Sequence, residues 1–214
     1  MFSKPYADLY ELLNRQKNYK QEIEFIWSWA RRPKKIIDIG CGTANYWKYY
    51  PKGTELKGID KSEYMIDVSE HKTNIMHGDI SEIKSITGKY ELATALFDVI
   101  SYIPNNDWWK YLPLNSGNYF IFDMWDEEKI NKEGFKDTVR IIGNIKRTIK
   151  PISFTGDKVI LKVHVIGPGF EVNEIHEMNI YSLDDIFEFC GEEYEIVDVK
   201  KTDSWRTWVK LKRK

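Results

Sequence analysis

Along residues 35–97 short apolar, β-branched runs alternate with polar stretches that carry glycines and acids. Residues 35–39, 55–60, 73–77 and 90–97 each hold such a run and read as buried strands. A fifth run, 118–124, follows the turn-like Leu114-Asn115-Ser116-Gly117. Between the strands, residues 43–50, 62–69 and 105–111 read as short helices, with Ser62 placed to cap the second. Strands separated by helices imply parallel pairing in a doubly wound α/β sheet.

The flanks follow other periods. Leu9, Leu12, Leu13, Ile23, Phe25, Ile26, Trp27 and Trp29 recur at helical intervals, predicting two helices that meet near Lys17-Asn18 and stop before Pro33. Residues 135–180 alternate apolar and polar, the mark of antiparallel hairpins, with turns at Thr155-Gly156-Asp157 and Gly167-Pro168-Gly169. Ser182 and the acids after it open a last helix that Gly191 closes; residues 193–201 and 205–211 then form a hairpin whose last strand runs antiparallel. No linker interrupts the chain. One domain over 1–214 is expected: a helical cover (1–32), a core (33–125), a β insertion (135–181), and a final helix and hairpin (182–214).

The first strand ends at Asp38-Ile39-Gly40-Cys41-Gly42. Glycines there allow a tight turn and a close ligand, a pattern shared by any nucleotide-binding βα unit. Asp38 lies two positions before Gly40, on the same strand face; its carboxylate suits a ligand ammonium better than a pyrophosphate. Asp60 ends the second strand about 20 residues on, where an acid accepts from a ribose diol. Asp79 follows the third strand and can accept from an adenine amino group. Amine, ribose and adenine contacts at three successive strand ends describe S-adenosylmethionine, not NAD.

These residues resemble class I S-adenosylmethionine-dependent methyltransferases of the small-molecule type, the aminosugar and glycine N-methyltransferase-like enzymes among them. Asp38 through Ala44 is similar to their first motif, with Ala44 in place of the last glycine; Gly58 through Ile66 and Gly78-Asp79-Ile80 are similar to the second and third. The likeness is carried by residues 1–125. It implies a Rossmann-like, seven-stranded doubly wound sheet with an antiparallel last strand, and a β insertion covering the substrate. It also implies cofactor contacts at Tyr10, Tyr19, Asp38, Gly40, Cys41, Gly42, Asp60, Lys61, Met65, Asp79, Ile80 and Leu96. Core packing accounts for the tyrosines equally well. His176 through Ser182 resembles the end of the substrate cover in aminosugar N-methyltransferases.

Phe97-Asp98-Val99-Ile100 stands where nucleobase amine methyltransferases show Asn-Pro-Pro-Tyr, which argues against a base substrate. Methyl transfer needs alignment more than a base. Candidate catalytic residues are His164, His176 and Asp98; both histidines lie in the β insertion expected to face the pocket, where each also reads as an ordinary strand-face residue. Asp123, Trp125 and Tyr102 are candidate substrate contacts, an acid and an indole suiting an amine. Gly40→Val is expected to block the cofactor.

Composition narrows the partners. With 214 residues and a net charge of -1, the chain supports one good core and no field that gathers polyanions, so nucleic acid is not expected. Two cysteines make no disulfide framework, four histidines show no metal-ligand spacing, and no apolar run spans a membrane. A cytoplasmic monomer or homodimer acting on a small molecule is expected. Two rivals remain: an NAD-type oxidoreductase, disfavoured by Asn45 at the third fingerprint position, and a cofactor-binding module without catalysis.

Overall fold

The computed structural model describes residues 2–104, 110–202 and 205–214, so residues 105–109 of the helix expected over 105–111 lie outside the described residues. The strands are β1 (Lys35–Ile39), β2 (Glu55–Asp60), β3 (Ile75–His77), β4 (Tyr90–Ala95), β5 (Leu114–Trp125), β6 (Thr138–Ile142), β7 (Ile145–Phe154), β8 (Lys158–Gly167), β9 (Phe170–Asn179), β10 (Tyr194–Lys201) and β11 (Arg206–Arg213). The α-helices are α1 (Lys4–Asn14), α2 (Tyr19–Trp29), α3 (Glu63–Asp67), α4 (Glu127–Glu133) and α5 (Leu183–Cys190). A seven-stranded sheet has the order β10-β11-β5-β4-β1-β2-β3, and β6-β7-β8-β9 form a separate four-stranded sheet. The pairs from β5 to β3 are parallel, while β11 runs antiparallel between β5 and β10.

The two-residue alternation of the buried strands divides the core. Ile37, Ile39, Ala93, Phe120 and Phe122 pack with Ile186 and Cys190 of α5, whereas Ile36, Leu92 and Ile121 pack with Ile23 and Ile26 of α2. The glycine turn is followed by no α-helix. Ala44 has φ +58°, and residues 43–50 hold a single 3-10 turn at Trp47–Tyr49. A left-handed residue cannot continue a right-handed helix. Tyr46, Trp47 and Tyr50 instead fill the space between the sheet and α2. The strand expected over 118–124 begins earlier, at Leu114, and its pairing with β4 shifts register between Tyr90 and Leu92.

The four-stranded sheet is an antiparallel meander whose inner face carries Val163, Val165, Val172, Glu174, His176 and Met178. α1 lies against that face through Tyr6 and Leu13. Polar links pin it there: Ser3 N donates to Glu174 Oε1 (3.1 Å), and Arg147 Nη1 to Asn14 Oδ1 (3.2 Å). The far end of the sheet rests on Ile130 of α4, Phe135 and Trp125. Among the described residues no helix is long and apolar enough to cross a membrane.

Where β1 meets β2, the backbones depend on a missing side chain. A Cβ on Gly58 would stand 2.6 Å from Cys41 Sγ and 2.9 Å from Trp47 Cζ2. Gly58→Ala is therefore expected to destabilise the fold by about 1–3 kcal/mol, and by less in a Cys41→Ala background. Equal losses in both backgrounds, measured by urea unfolding, would refute this account of the contact.

Candidate active site

The tips of β1, β2 and β3 lie side by side, with Asp38 opposite Gly58 and Asp60 opposite His77. Gly40 and Gly42 adopt φ +61° and +56° to turn the chain above them. Asp60 fastens the turn: its Oδ2 accepts from Gly42 N (2.6 Å) and its Oδ1 from Ser62 N (2.8 Å). Burial raises its pKa, and those two N–H groups oppose the rise. Asp79 caps the following 3-10 turn and receives Lys61 Nζ at 2.8 Å; Lys61 and then Ser81 N hold it below the usual carboxylate range.

Asp38 is 4% exposed, and its carboxylate bonds to the protein itself. Trp47 Nε1 donates to one oxygen at 2.8 Å, Thr94 Oγ1 to the other at 2.7 Å, and burial pushes the group up to about 6. Asp38 thus ties β1 to β4 and to the glycine loop, and a ligand ammonium would have to share oxygens already bonded to Trp47 and Thr94. Cys41 packs over Gly58, and burial drives its thiol well above the ordinary range, so it is no nucleophile. A Cβ on Gly42 would stand 3.1 Å from Met65 Cε. Ile80 opens the 3-10 turn behind Asp79, and Leu96 packs in the core on the α2 side. A Cβ on Gly40 would meet Val99 Cγ1 at 2.6 Å, so Gly40→Val collides with the protein before any ligand, contrary to the sequence expectation.

The N-terminal helices bring aromatic rings to the same edge. Tyr10 faces Phe97 (ring centroids 6.5 Å apart) and lies beside Phe2 and Tyr6. Burial raises its pKa, and the tyrosines at 19, 6 and 102 and then Asp60 add to the rise; the ring packs against the cluster of Val163, Val165 and Val172 in the four-stranded sheet. Tyr19 packs on Tyr46 and Tyr49, 4.8 and 6.2 Å away, and burial pushes it up to about 12.

After β4 the backbone turns through two left-handed residues, Phe97 (φ +69°) and Asp98 (φ +62°). Such a pair is strained and persists only where neighbours fix it. Asp123, wholly buried in β5, does so: its carboxylate accepts from Phe97 N (2.6 Å) and Asp98 N (3.3 Å). Arg206 of β11 lies against both acids, Nη2 3.2 Å from Asp98 Oδ2 and Nη1 3.0 Å from Asp123 Oδ2. The second contact is an ion pair off the hydrogen-bonding axis. Burial pushes Asp123 up to about 6 although Arg206 pulls it down. Asp123 therefore holds the turn rather than presenting a free carboxylate to a substrate. Arg206 has no motif around it in the sequence; it is 108 positions from Asp98.

The two candidate histidines separate. His176, on the inner face of β9, is 6% exposed; its Nδ1 lies 3.0 Å from the Tyr102 hydroxyl, and its Nε2 is buried without a hydrogen-bond partner among the described residues. Burial lowers its pKa against the pull of Glu174, leaving a neutral ring near neutral pH. His164, expected at the pocket, lies on the opposite, outer face of β8, paired with Glu171 at 2.9 Å. Trp125, expected at the substrate, packs on Phe135 (4.5 Å) at the foot of the four-stranded sheet.

Residues 12–128 match the sequence profile of the methyltransferase domain family. No curated protein sequence matches the chain. Among solved structures, an S-adenosylmethionine-dependent methyltransferase from Clostridium acetobutylicum is similar, with TM-score 0.81, 22% identity and 98% of each chain covered. An amino pentose methyltransferase of Micromonospora echinaspora, involved in calicheamicin biosynthesis and solved with S-adenosylmethionine bound, has TM-score 0.78 and 14% identity over 100% of this chain and 98% of the other. A sugar N-methyltransferase from a Streptoalloteichus species has TM-score 0.75 and 16% identity, over 96% and 93%.

Asp38 generates a test of the electrostatics. Its folded-state pKa of about 6 exceeds the ordinary value near 4. The native state thus holds a proton that the unfolded state releases, and stability falls as pH rises through that window, levelling above about 6. Asp38→Asn keeps an acceptor for Trp47 and a partner for Thr94 without the buried charge. It is expected to be more stable than the parent by about 1–3 kcal/mol at about pH 7.5, with the gap narrowing towards pH 5. A constant gap across thermal melts in that range would contradict the assignment.

Proposed function

The chain belongs to the methyltransferase domain family and uses S-adenosylmethionine, and from that premise we propose that it methylates an amine of a small molecule, in the first place an aminosugar carried on a nucleotide. The observation that supports an amine acceptor is His176: a buried, neutral imidazole with an unpartnered Nε2, oriented by Tyr102 beneath the aromatic cover. An ammonium must lose a proton before its nitrogen can attack, and a neutral imidazole takes it. Likeness to the amino pentose and sugar N-methyltransferases supports the aminosugar class.

The donor set fits the cofactor. S-adenosylmethionine supplies a methyl group on a sulfonium, already activated for in-line displacement. Asp60 is assigned to the ribose diol, since each oxygen fixed by Gly42 or Ser62 keeps a further lone pair. The Gly40–Gly42 turn would line the cofactor, Asp79 and Ile80 would hold its adenine, and Tyr10 and Tyr19 would cover it and exclude water. The family match sets aside the dinucleotide oxidoreductase.

Incubation with labelled S-adenosylmethionine and a panel of amines, hydroxyls and carboxylates tests the reading. Label on an amine is expected; cofactor binding with no labelled product from the panel or from a metabolite extract would favour a non-catalytic module. Asp60→Ala is expected to weaken the cofactor by about 1–3 kcal/mol in calorimetry. For His176→Asn, kcat is expected to fall by about 10²–10⁴-fold. The parent should lose activity as pH drops through a value below 6.5, where the ring gains its proton. A low-pH limb that survives in the variant would dismiss His176 as the base.

A further inference from the structure

The charges at the junction of β4, β5 and β11 do not balance. Lys17 and Arg206 stand against Glu22, Asp98 and Asp123, so two cations meet three carboxylates among the described residues. Lys17 pairs with Glu22 and is 12% exposed; its Nζ lies 4.6 Å from the Phe97 ring centre, and the Arg206 guanidinium 4.8 Å from the same ring. Asp123 spends its carboxylate on the two turn amides and the Arg206 charge. Asp98 is the acid left over. Its Oδ2 is held by Arg206, and its Oδ1 is buried without a hydrogen-bond partner among the described residues. An enclosed carboxylate oxygen without a donor is costly, and it is kept here by a strained turn.

The surroundings place this oxygen at the site already described. Tyr10 faces Phe97, the residue before Asp98, and Asp98 leads directly into the 3-10 turn that carries Tyr102. The Tyr102 hydroxyl touches His176 Nδ1. Asp98 thus opens the short 3-10 turn Val99–Tyr102 whose last residue meets His176, and Asp98 and His176 each end in an unpartnered buried atom among the described residues.

Building on the amine acceptor proposed above, we propose that Asp98 is the specificity-determining residue of that site. Its Oδ1 receives the ammonium of the methyl acceptor, and Arg206 is the positioning residue that keeps the carboxylate turned towards it. The incoming cation brings the cluster to neutrality and supplies the missing donor. Without Arg206, the Asp98 carboxylate has no fixed orientation and Phe97 loses one of its flanking cations.

Binding of glucosamine to the protein loaded with S-adenosylhomocysteine, with glucose as the uncharged counterpart, is the test, read by ligand-observed NMR and titration. The parent is expected to prefer glucosamine, and Asp98→Asn and Arg206→Met to lose that preference at least tenfold while holding S-adenosylhomocysteine as before. Arg206→Lys, which retains the charge and guards against a misfolded Met variant, should recover part of it. A parent without the preference, or an undiminished preference in folded Asp98→Asn, overturns the proposal. Loss of affinity for S-adenosylmethionine but not S-adenosylhomocysteine in Asp98→Asn would assign the carboxylate to the sulfonium and overturn it too. Selective glucosamine binding with no amine ever methylated would leave the cation site standing and refute the N-methylation reading instead.

Discussion

Carboxylates drawn out of water at the ends of parallel strands hold the loop edge of the large sheet together. A strand that stops at the carboxyl edge of a sheet leaves amides with no ladder partner, and an enclosed amide must find an acceptor. Asp60 takes the amides of Gly42 and Ser62, and Asp123 those of Phe97 and Asp98. Asp38 does the same for an indole and a hydroxyl. Each acid gives up solvation, visible in the raised pKa of all three, and each fixes a loop. Loop geometry and negative potential therefore come from the same residues, at the edge proposed for the sulfonium cofactor.

The cover is built on the same economy of polar contacts. α1 buries Tyr6 and Leu13 against the four-stranded sheet, yet its register there is set by Ser3 with Glu174 and by Asn14 with Arg147. Apolar contact alone would let a short helix slide; paired polar groups in a dry interface allow few positions. Tyr10 is thereby aimed at Phe97.

What the sequence made legible was local. The glycine turn and the acids at 38, 60 and 79 sit within strand–turn units, so spacing alone placed them on one edge, and two-residue alternation located β6–β9. Residues joined across the chain stayed hidden: nothing near Arg206 points to Asp98 or Asp123, and nothing near Trp47 points to Asp38. The histidines show the limit most clearly. Gly167 pairs with Phe170, so His164 pairs with Asn173, an odd step from His176, and the two rings must lie on opposite faces. The Gly167-Pro168-Gly169 turn carried that information, but only once its exact register was known. The helix expected after Gly42 failed because Ala44 is left-handed and aromatic packing against α2 took its place.

That absent helix has a consequence for ligand choice. In dinucleotide-binding folds a helix begins right behind the glycines, and its amino end lends partial positive charge to a pyrophosphate. Here the backbone after Gly42 wanders through Ala44 into one short 3-10 turn, and the Gly42 amide is already bound to Asp60. With a carboxylate behind the loop in place of an aligned dipole, the turn would repel phosphoryl oxygens. The phosphates of a nucleotide-bearing ligand would have to rest elsewhere on the protein.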